Sequence, residues 1–185
     1  FDTPLPLGFE QNISQPFIIA LMTQLAQVKA GDVVFETGTG AGYHAAILSK
    51  RAARVNPLEV VGALAQAARE ALRRVGIDNA EVRVGDGYYG WPERGPYDAI
   101  IVKEAVNHIP PPLVNQLKPG GRMVLPIGLL DTFQHLSVVE KDLDGELSIT
   151  RVLPVRFTPL QGGKVLNLMF LYNKLRFNFV IVINN

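Results

Sequence analysis

Val33-Val34-Phe35-Glu36-Thr37-Gly38-Thr39-Gly40-Ala41-Gly42-Tyr43 is the stretch on which the reading of this chain turns. An apolar run ends in a carboxylate, passes through three alternate glycines and leads into the helix-prone Ala45-Ala46-Ile47-Leu48. Glycines at that spacing let a backbone turn sharply from strand to helix and lie flat against a ligand that a Cβ would hold off. The pattern is G-x-G-x-G, not the G-x-G-x-x-G of dinucleotide dehydrogenases, and no lysine follows it to cradle a triphosphate. A ribose-bearing ligand without a pyrophosphate fits best, with S-adenosylmethionine as the candidate. A glycine turn without a ligand is the competing reading of this segment alone.

Outward from that turn, strands and helices alternate. Residues 1–12 read as an irregular lead-in. Ser14-Gln15-Pro16 then opens a helix, with Ser14 or Gln15 at its cap, and apolar residues recur from Phe17 to Leu25 at helical spacing. Strands follow at 33–36, 53–59, 81–84 and 97–102, with helices at 42–50, 61–75 and 110–117. Asn56-Pro57 is awkward in the second of these strands, because proline cannot donate to a central ladder. Tyr97-Asp98-Ala99-Ile100-Ile101-Val102 is the near-continuous apolar run of a buried parallel strand. Further strands are expected at 133–140, 147–156 and 164–172, and the tail 177–185 is strongly strand-forming. The expected fold is α/β: a doubly wound, mostly parallel Rossmann-like sheet with helices on both faces and antiparallel late strands.

The 185 residues suit a single domain over 1–185, with an N-terminal covering segment (1–30), a cofactor-binding core (31–128) and C-terminal strands (129–185). The chain starts at Phe1 and not at methionine, so a native N-terminal segment is expected ahead of it. Charged residues make up 19% and the net charge is +1, which gives no support to nucleic-acid binding. No apolar run reaches the roughly 20 residues that span a bilayer. With no cysteine, disulfides and thiolate chemistry are excluded. A cytoplasmic monomer that binds neither membrane nor nucleic acid is expected.

In a doubly wound sheet the ligand sits at the carboxyl ends of the strands. Glu36, Glu59 and Asp86 fall at three successive strand ends. Glu59 lies 21 residues beyond Gly38, the distance at which an acid accepts from ribose hydroxyls. Asp86, flanked by Gly85 and Gly87, could accept from an adenine amine. Each acid alone reads as a solvated strand-end carboxylate; three together point to a nucleoside site. His44, His108 and His135 are scattered and do not form a metal-ligand set; His44 could border the cofactor, but it reads first as a helix-surface residue. Trp91 reads as a packing residue over the loop after Asp86. Ser14, at a helix start where free N–H groups favour an anion, reads either as a plain N-cap or as part of an anion site.

The chain resembles the protein-L-isoaspartate (D-aspartate) O-methyltransferases, class I methyltransferases that repair isomerised aspartyl residues. The resemblance runs from residue 4 to about 162. It is carried by Pro4-Leu5-Pro6-Leu7-Gly8, Ile13-Ser14-Gln15-Pro16, the glycine turn, Gly85-Asp86-Gly87 and Gly90-Trp91-Pro92. The strand at 97–102, Leu117-Lys118-Pro119-Gly120-Gly121 and Pro154-Val155-Arg156-Phe157 continue it. Ile-Ser-Gln-Pro and Gly-Trp-Pro belong to this family and are not general methyltransferase features.

The resemblance implies that Ser14 is the active-site serine. It also implies that Glu36, Gly38, Thr39, Gly40, Gly42, Glu59, Asp86 and Gly87 hold S-adenosylmethionine, with S-adenosylhomocysteine as product. The implied partners are damaged peptides or proteins containing isoaspartyl residues. This chain has Glu10 and Asn12 where the family has Gly and Thr, and Lys103-Glu104-Ala105 where it has Thr-Ala-Ala. Those segments border the substrate in the family, which makes Asn12, Ile13, Lys103 and Glu104 the candidate substrate contacts. The implied reaction is methyl esterification of an isoaspartyl α-carboxylate. A related carboxyl methyltransferase for another acidic peptide and a weakly catalytic cofactor-binding homologue are the alternatives. A nicotinamide oxidoreductase fits least, for want of the right glycine spacing.

Overall fold

The computed structural model describes residues 2–3, 5–8, 11–129 and 132–160. The strand expected at 164–172, the tail 177–185 and Glu10 lie outside the described residues. The elements in chain order are β1 (Leu5–Gly8), β2 (Gln11–Ile13), α1 (Pro16–Ala26), β3 (Val33–Thr37), α2 (Tyr43–Ser49), β4 (Arg54–Glu59) and α3 (Gly62–Arg74). They continue as β5 (Arg83–Val84), β6 (Tyr97–Ile101), α4 (Pro111–Gln116), β7 (Leu117–Gly128), β8 (Gln134–Lys141) and β9 (Leu147–Val155).

Seven strands form one sheet in the order β5-β4-β3-β6-β7-β8-β9. Pairings from β5 to β7 are parallel, and β8 and β9 add antiparallel. Side chains alternate across the sheet. Val34, Val55 and Ala99 face a core built with Met22 of α1, Leu48 of α2 and Ala68 and Leu72 of α3. Phe35, Tyr97 and Ile100 face the opposite core with Trp91, Leu113 and Met123. Helices therefore cover both faces, as the strand pattern requires. No helix among the described residues is long and apolar enough to cross a membrane.

The lead-in differs from expectation. It holds a small antiparallel hairpin, β1 with β2, pairing Leu5 with Ile13 and Pro6 with Asn12. The start of α1 is capped from outside. Gln15 is the N-cap residue and makes no side-chain cap bond. Instead the Asp2 carboxylate accepts from the Phe17 backbone N–H at 2.9 Å and from the Gln15 amide at 2.7 Å. Ser14 is thus not the cap, and an acidic side chain already occupies the exposed N–H of that helix end.

Pro57 is tolerated because of where its missing N–H would point. Val55 bonds toward residues 79 and 81 on the β5 side, and Glu59 accepts from Gly85 on that same side. With a two-residue period Pro57 faces that side too, where pairing with β5 is confined to Leu58 and Glu59. Asn56 turns to β3, where its amide donates to the Val34 carbonyl at 3.2 Å.

Candidate active site

The chain runs from β3 outward to β4 and β5, then crosses back to place β6 on the other side of β3. The carboxyl end of β3 is therefore the topological switch point, where a doubly wound sheet opens a crevice. A cavity of about 490 Å3 lies there, within the usual size range of small-ligand pockets. Thr37, Gly38, Thr39 and Gly40 form its floor, with Glu59 and Gly85 on one side and Lys103 and Glu104 on the other. Ile13, Ser14 and Gln15 approach from the N-terminal segment. Residues 153–160, leaving β9, close the remaining side.

The glycine turn is positioned by both backbone freedom and a carboxylate. Gly38 and Gly40 have φ of +57° and +56°, a region that favours glycine. Glu59 receives the Gly40 N–H at 2.8 Å on one oxygen and the Val61 N–H at 2.9 Å on the other. It thereby ties the turn to the end of β4, with lone pairs left to accept further donors. Gly87 lines the cavity, and a Cβ there would lie 2.9 Å from Thr37 Cγ2.

Two glycine-turn expectations change. Gly42, at φ +81°, is the N-cap of α2 and does not line the cavity; a Cβ on it would meet Ala68 and Leu72 of α3 at 3.4 Å. Its role is close packing of α2 against α3. Asp86 is also absent from the cavity wall, although both its neighbours are there; one of its oxygens accepts the Tyr88 N–H at 2.9 Å.

Beneath the floor is a buried charged group. Glu36 is 0% exposed, and Lys103 Nζ lies 2.6 Å from its Oε1. Burial raises the Glu36 carboxyl above its ordinary range, and the Lys103 ammonium works against that rise. Glu36 Oε2 has no hydrogen-bond partner among the described residues. His44 is 1% exposed and not on the helix surface as expected. Its Nε2 lies 2.9 Å from Thr23 Oγ1, whose own hydrogen goes to the Ile19 carbonyl at 2.8 Å. Nε2 is therefore the donor and Nδ1 carries the lone pair. Burial, then the Lys103 charge, holds the imidazole well below its usual pKa, so His44 is neutral. At 3.8 Å its Nδ1 is too far from Glu36 to bond.

Glu104 reaches over the floor from its side of the cavity. Its Oε2 accepts the Thr37 hydroxyl, and its other oxygen occupies the space a Cβ on Gly38 would need. The Lys103 N–H donates to the same Thr37 oxygen at 3.1 Å. Burial pushes the Glu104 carboxyl up to about 7, with the Thr37 hydrogen bond and Lys103 opposing. Of the four candidate substrate contacts, Ile13, Lys103 and Glu104 line the cavity, and the Asn12 backbone belongs to β2.

These features fit a nucleoside-bearing methyl donor: a backbone cradle, a strand-end carboxylate and an orphaned buried oxygen. The model for the family described as protein-L-isoaspartate(D-aspartate) O-methyltransferase matches residues 1–165. The chain belongs to this family. A protein-L-isoaspartate O-methyltransferase 2 of Polaromonas sp. is 53% identical over 161 residues, covering 87% of this chain and 76% of the relative. A protein-L-isoaspartate O-methyltransferase 1 of Nitrosospira multiformis is 51% identical, covering 86% and 68%. A solved protein-L-isoaspartate O-methyltransferase superposes with a TM-score of 0.83 at 34% identity, over 97% of this chain and 58% of its own. A Plasmodium falciparum structure of the same enzyme class, in complex with S-adenosyl-L-homocysteine, superposes with a TM-score of 0.76 at 27% identity, over 87% and 81%. The expected family and the class I methyltransferase fold are thereby established.

Sequence reasoning preferred a surface place for His44 and missed two further parts of this methyltransferase site. His44 carried a usable signal: it stands four residues before buried Leu48 on α2, the spacing of one helix face. Thr37 directly precedes the glycines but looks like any strand-end threonine. The wall at 153–160 had no local signal, because only the return of β9 beside β8 brings it to the switch point.

Proposed function

We propose that the chain methylates the α-carboxylate of L-isoaspartyl and D-aspartyl residues in damaged peptides and proteins, with S-adenosylmethionine as donor. The ester starts repair by collapsing to a succinimide that reopens in part to normal aspartate. The observation that carries this reading is that Ser14 and the glycine turn line the same cavity. When bound, the donor supplies a sulfonium methyl: a C–O bond forms to the carboxylate as the C–S bond breaks, and its electron pair stays on sulfur in S-adenosylhomocysteine.

The chain's own part is binding, alignment and exclusion of water. A carboxylate is already ionised at neutral pH, so no general base is required. Neutral His44, a buried residue of the cavity lining, is consistent with that. Gly38, Gly40 and Glu59 would hold the donor. Ser14 and the backbone around Ile13 would orient the accepting oxygen, a positioning effect worth several kcal/mol. Residues 153–160 would cover the reacting pair.

The test is transfer of labelled methyl from S-adenosylmethionine to matched isoaspartyl and aspartyl peptides. Base-labile label on the isoaspartyl peptide alone is the expected result; label on the aspartyl peptide instead would sink the proposal. A second reading, a carboxyl methyltransferase for another acidic peptide, draws on the charged Lys103-Glu104 pair in the cavity and predicts that second pattern.

A further inference from the structure

Glu36, Glu59 and Glu104 converge on the carboxyl ends of β3, β4 and β6. At the floor Lys103 is the cation that acts on these carboxylates, and its ammonium is committed to Glu36, while Arg156 lines the wall of residues 153–160. Glu59 is held by two backbone N–H groups. Glu104 has a neutral hydroxyl, that of Thr37, as its hydrogen-bond donor, and it leans over Gly38 at the cavity floor. Glu104 is half-buried, and a carboxylate drawn partly out of water beside two others favours a compensating cation or several donors. Among the described residues Glu104 receives one neutral donor.

We propose that Glu104 is a cofactor-positioning residue whose carboxylate takes a cationic group of the methionine half of S-adenosylmethionine. It would thus face the donor and not, as the resemblance implies, the peptide. This rests on the methyl-donor reading above. The donor carries a sulfonium and an α-ammonium against one carboxylate, so its net charge complements a floor with more carboxylates than ammonium groups. Gly38, having no Cβ, leaves room for the Glu104 oxygen beside the turn.

A proton accompanies binding. The groups facing Glu104 are Thr37 and Glu36 on β3, Glu59 on β4 and its neighbour Lys103; His44 on α2 lies behind Glu36 and stays neutral. Without ligand the carboxyl titrates near 7. An arriving cation favours the ionised form, so binding at pH 6 releases up to about one proton and weakens as pH falls.

Glu104→Gln keeps the shape and removes the charge. Calorimetric titration of wild type and variant uses S-adenosylmethionine (both cations), S-adenosylhomocysteine (ammonium only) and 5′-methylthioadenosine (neither). The expected result is binding of S-adenosylmethionine about 10- to 100-fold weaker in the variant, with methylthioadenosine within threefold of wild type. Proton release at pH 6, measured in buffers of different ionisation enthalpy, should disappear. A parallel loss for S-adenosylhomocysteine assigns the ammonium; its absence assigns the sulfonium. Unchanged or tighter binding of S-adenosylmethionine would overturn the proposal, because the carboxylate would then be obstructing the donor's place. An equal loss for methylthioadenosine would overturn it too, in favour of a structural role. Wild-type protein that binds no S-adenosylmethionine would overturn the donor reading itself, whereas the variant comparison tests Glu104 alone.

Discussion

Lys103 Nζ lies 2.6 Å from Glu36 Oε1, and the two join the loop after β6 to the end of β3 beneath the cavity. The Glu36 side chain is 0% and the Lys103 side chain 10% exposed, so little water is available to either. A pair in that setting adds little net stability over an apolar substitute, but removing one partner strands the other.

Lys103→Met should therefore destabilise the protein by about 3–5 kcal/mol near neutral pH. Without the ammonium the Glu36 carboxyl rises further and takes a proton, so the deficit should be smaller at pH 5 than at pH 8. Adding Glu36→Gln should recover part of the loss. Denaturant midpoints of wild type, both single variants and the double variant at the two pH values measure this.

Glu104 predicts a pH dependence of the unliganded fold. Its folded pKa, about 7, is raised above the ordinary carboxyl value of 4.5 by burial. Its contribution to stability is thus fully present below pH 4.5 and lost as pH rises through 7. Relative to Glu104→Gln, wild type should lose about 2 kcal/mol between pH 5 and pH 8. Parallel stability curves for the two proteins would refute this.

Ser14 lines the cavity while α1 is capped by Asp2, so the serine is free of a folding duty at that helix end. Ser14→Ala should leave the melting temperature within a degree or so. It should lower methyl transfer to an isoaspartyl peptide about 100-fold, the scale of losing one well-placed donor. Affinity for S-adenosylmethionine should change little. A large melting shift with activity retained would assign the serine to structure.

The glycines of the turn should separate by role. Gly42→Ala forces φ of +81° on an L-residue and presses a Cβ toward Ala68 and Leu72. It should cost about 1–3 kcal/mol of stability while leaving cofactor affinity nearly intact in the folded fraction. Gly38→Ala meets the Glu104 carboxylate at the cavity floor and should also abolish cofactor binding. Melting curves with and without S-adenosylmethionine distinguish the two.

Local pattern carried much of this reading. Alternating apolar strands and helices required a layered α/β sheet, and alternate glycines after a strand required a tight, ligand-facing turn. Where local pattern misled, a distant segment had intervened. His44 read as surface until α1 packed over α2 and supplied Thr23. The start of α1 read as either a plain serine cap or an anion site until Asp2 filled one of its N–H groups. Asn56-Pro57 read as awkward until β5 proved short enough to leave Pro57 without a ladder partner on that side.

The sequence by itself determined the fold class, the place of the turn and the family, because periodicity, glycine spacing and short motifs act over a few residues. The tertiary structure decided which charges meet. Thr37 and Glu104 stand 67 positions apart, and they touch because the crossover lays β6 against β3 and not beside β5. That contact depends on strand order and side-chain direction. Both are settled by burying two cores on opposite faces of one sheet, a global packing condition that no local run of residues encodes.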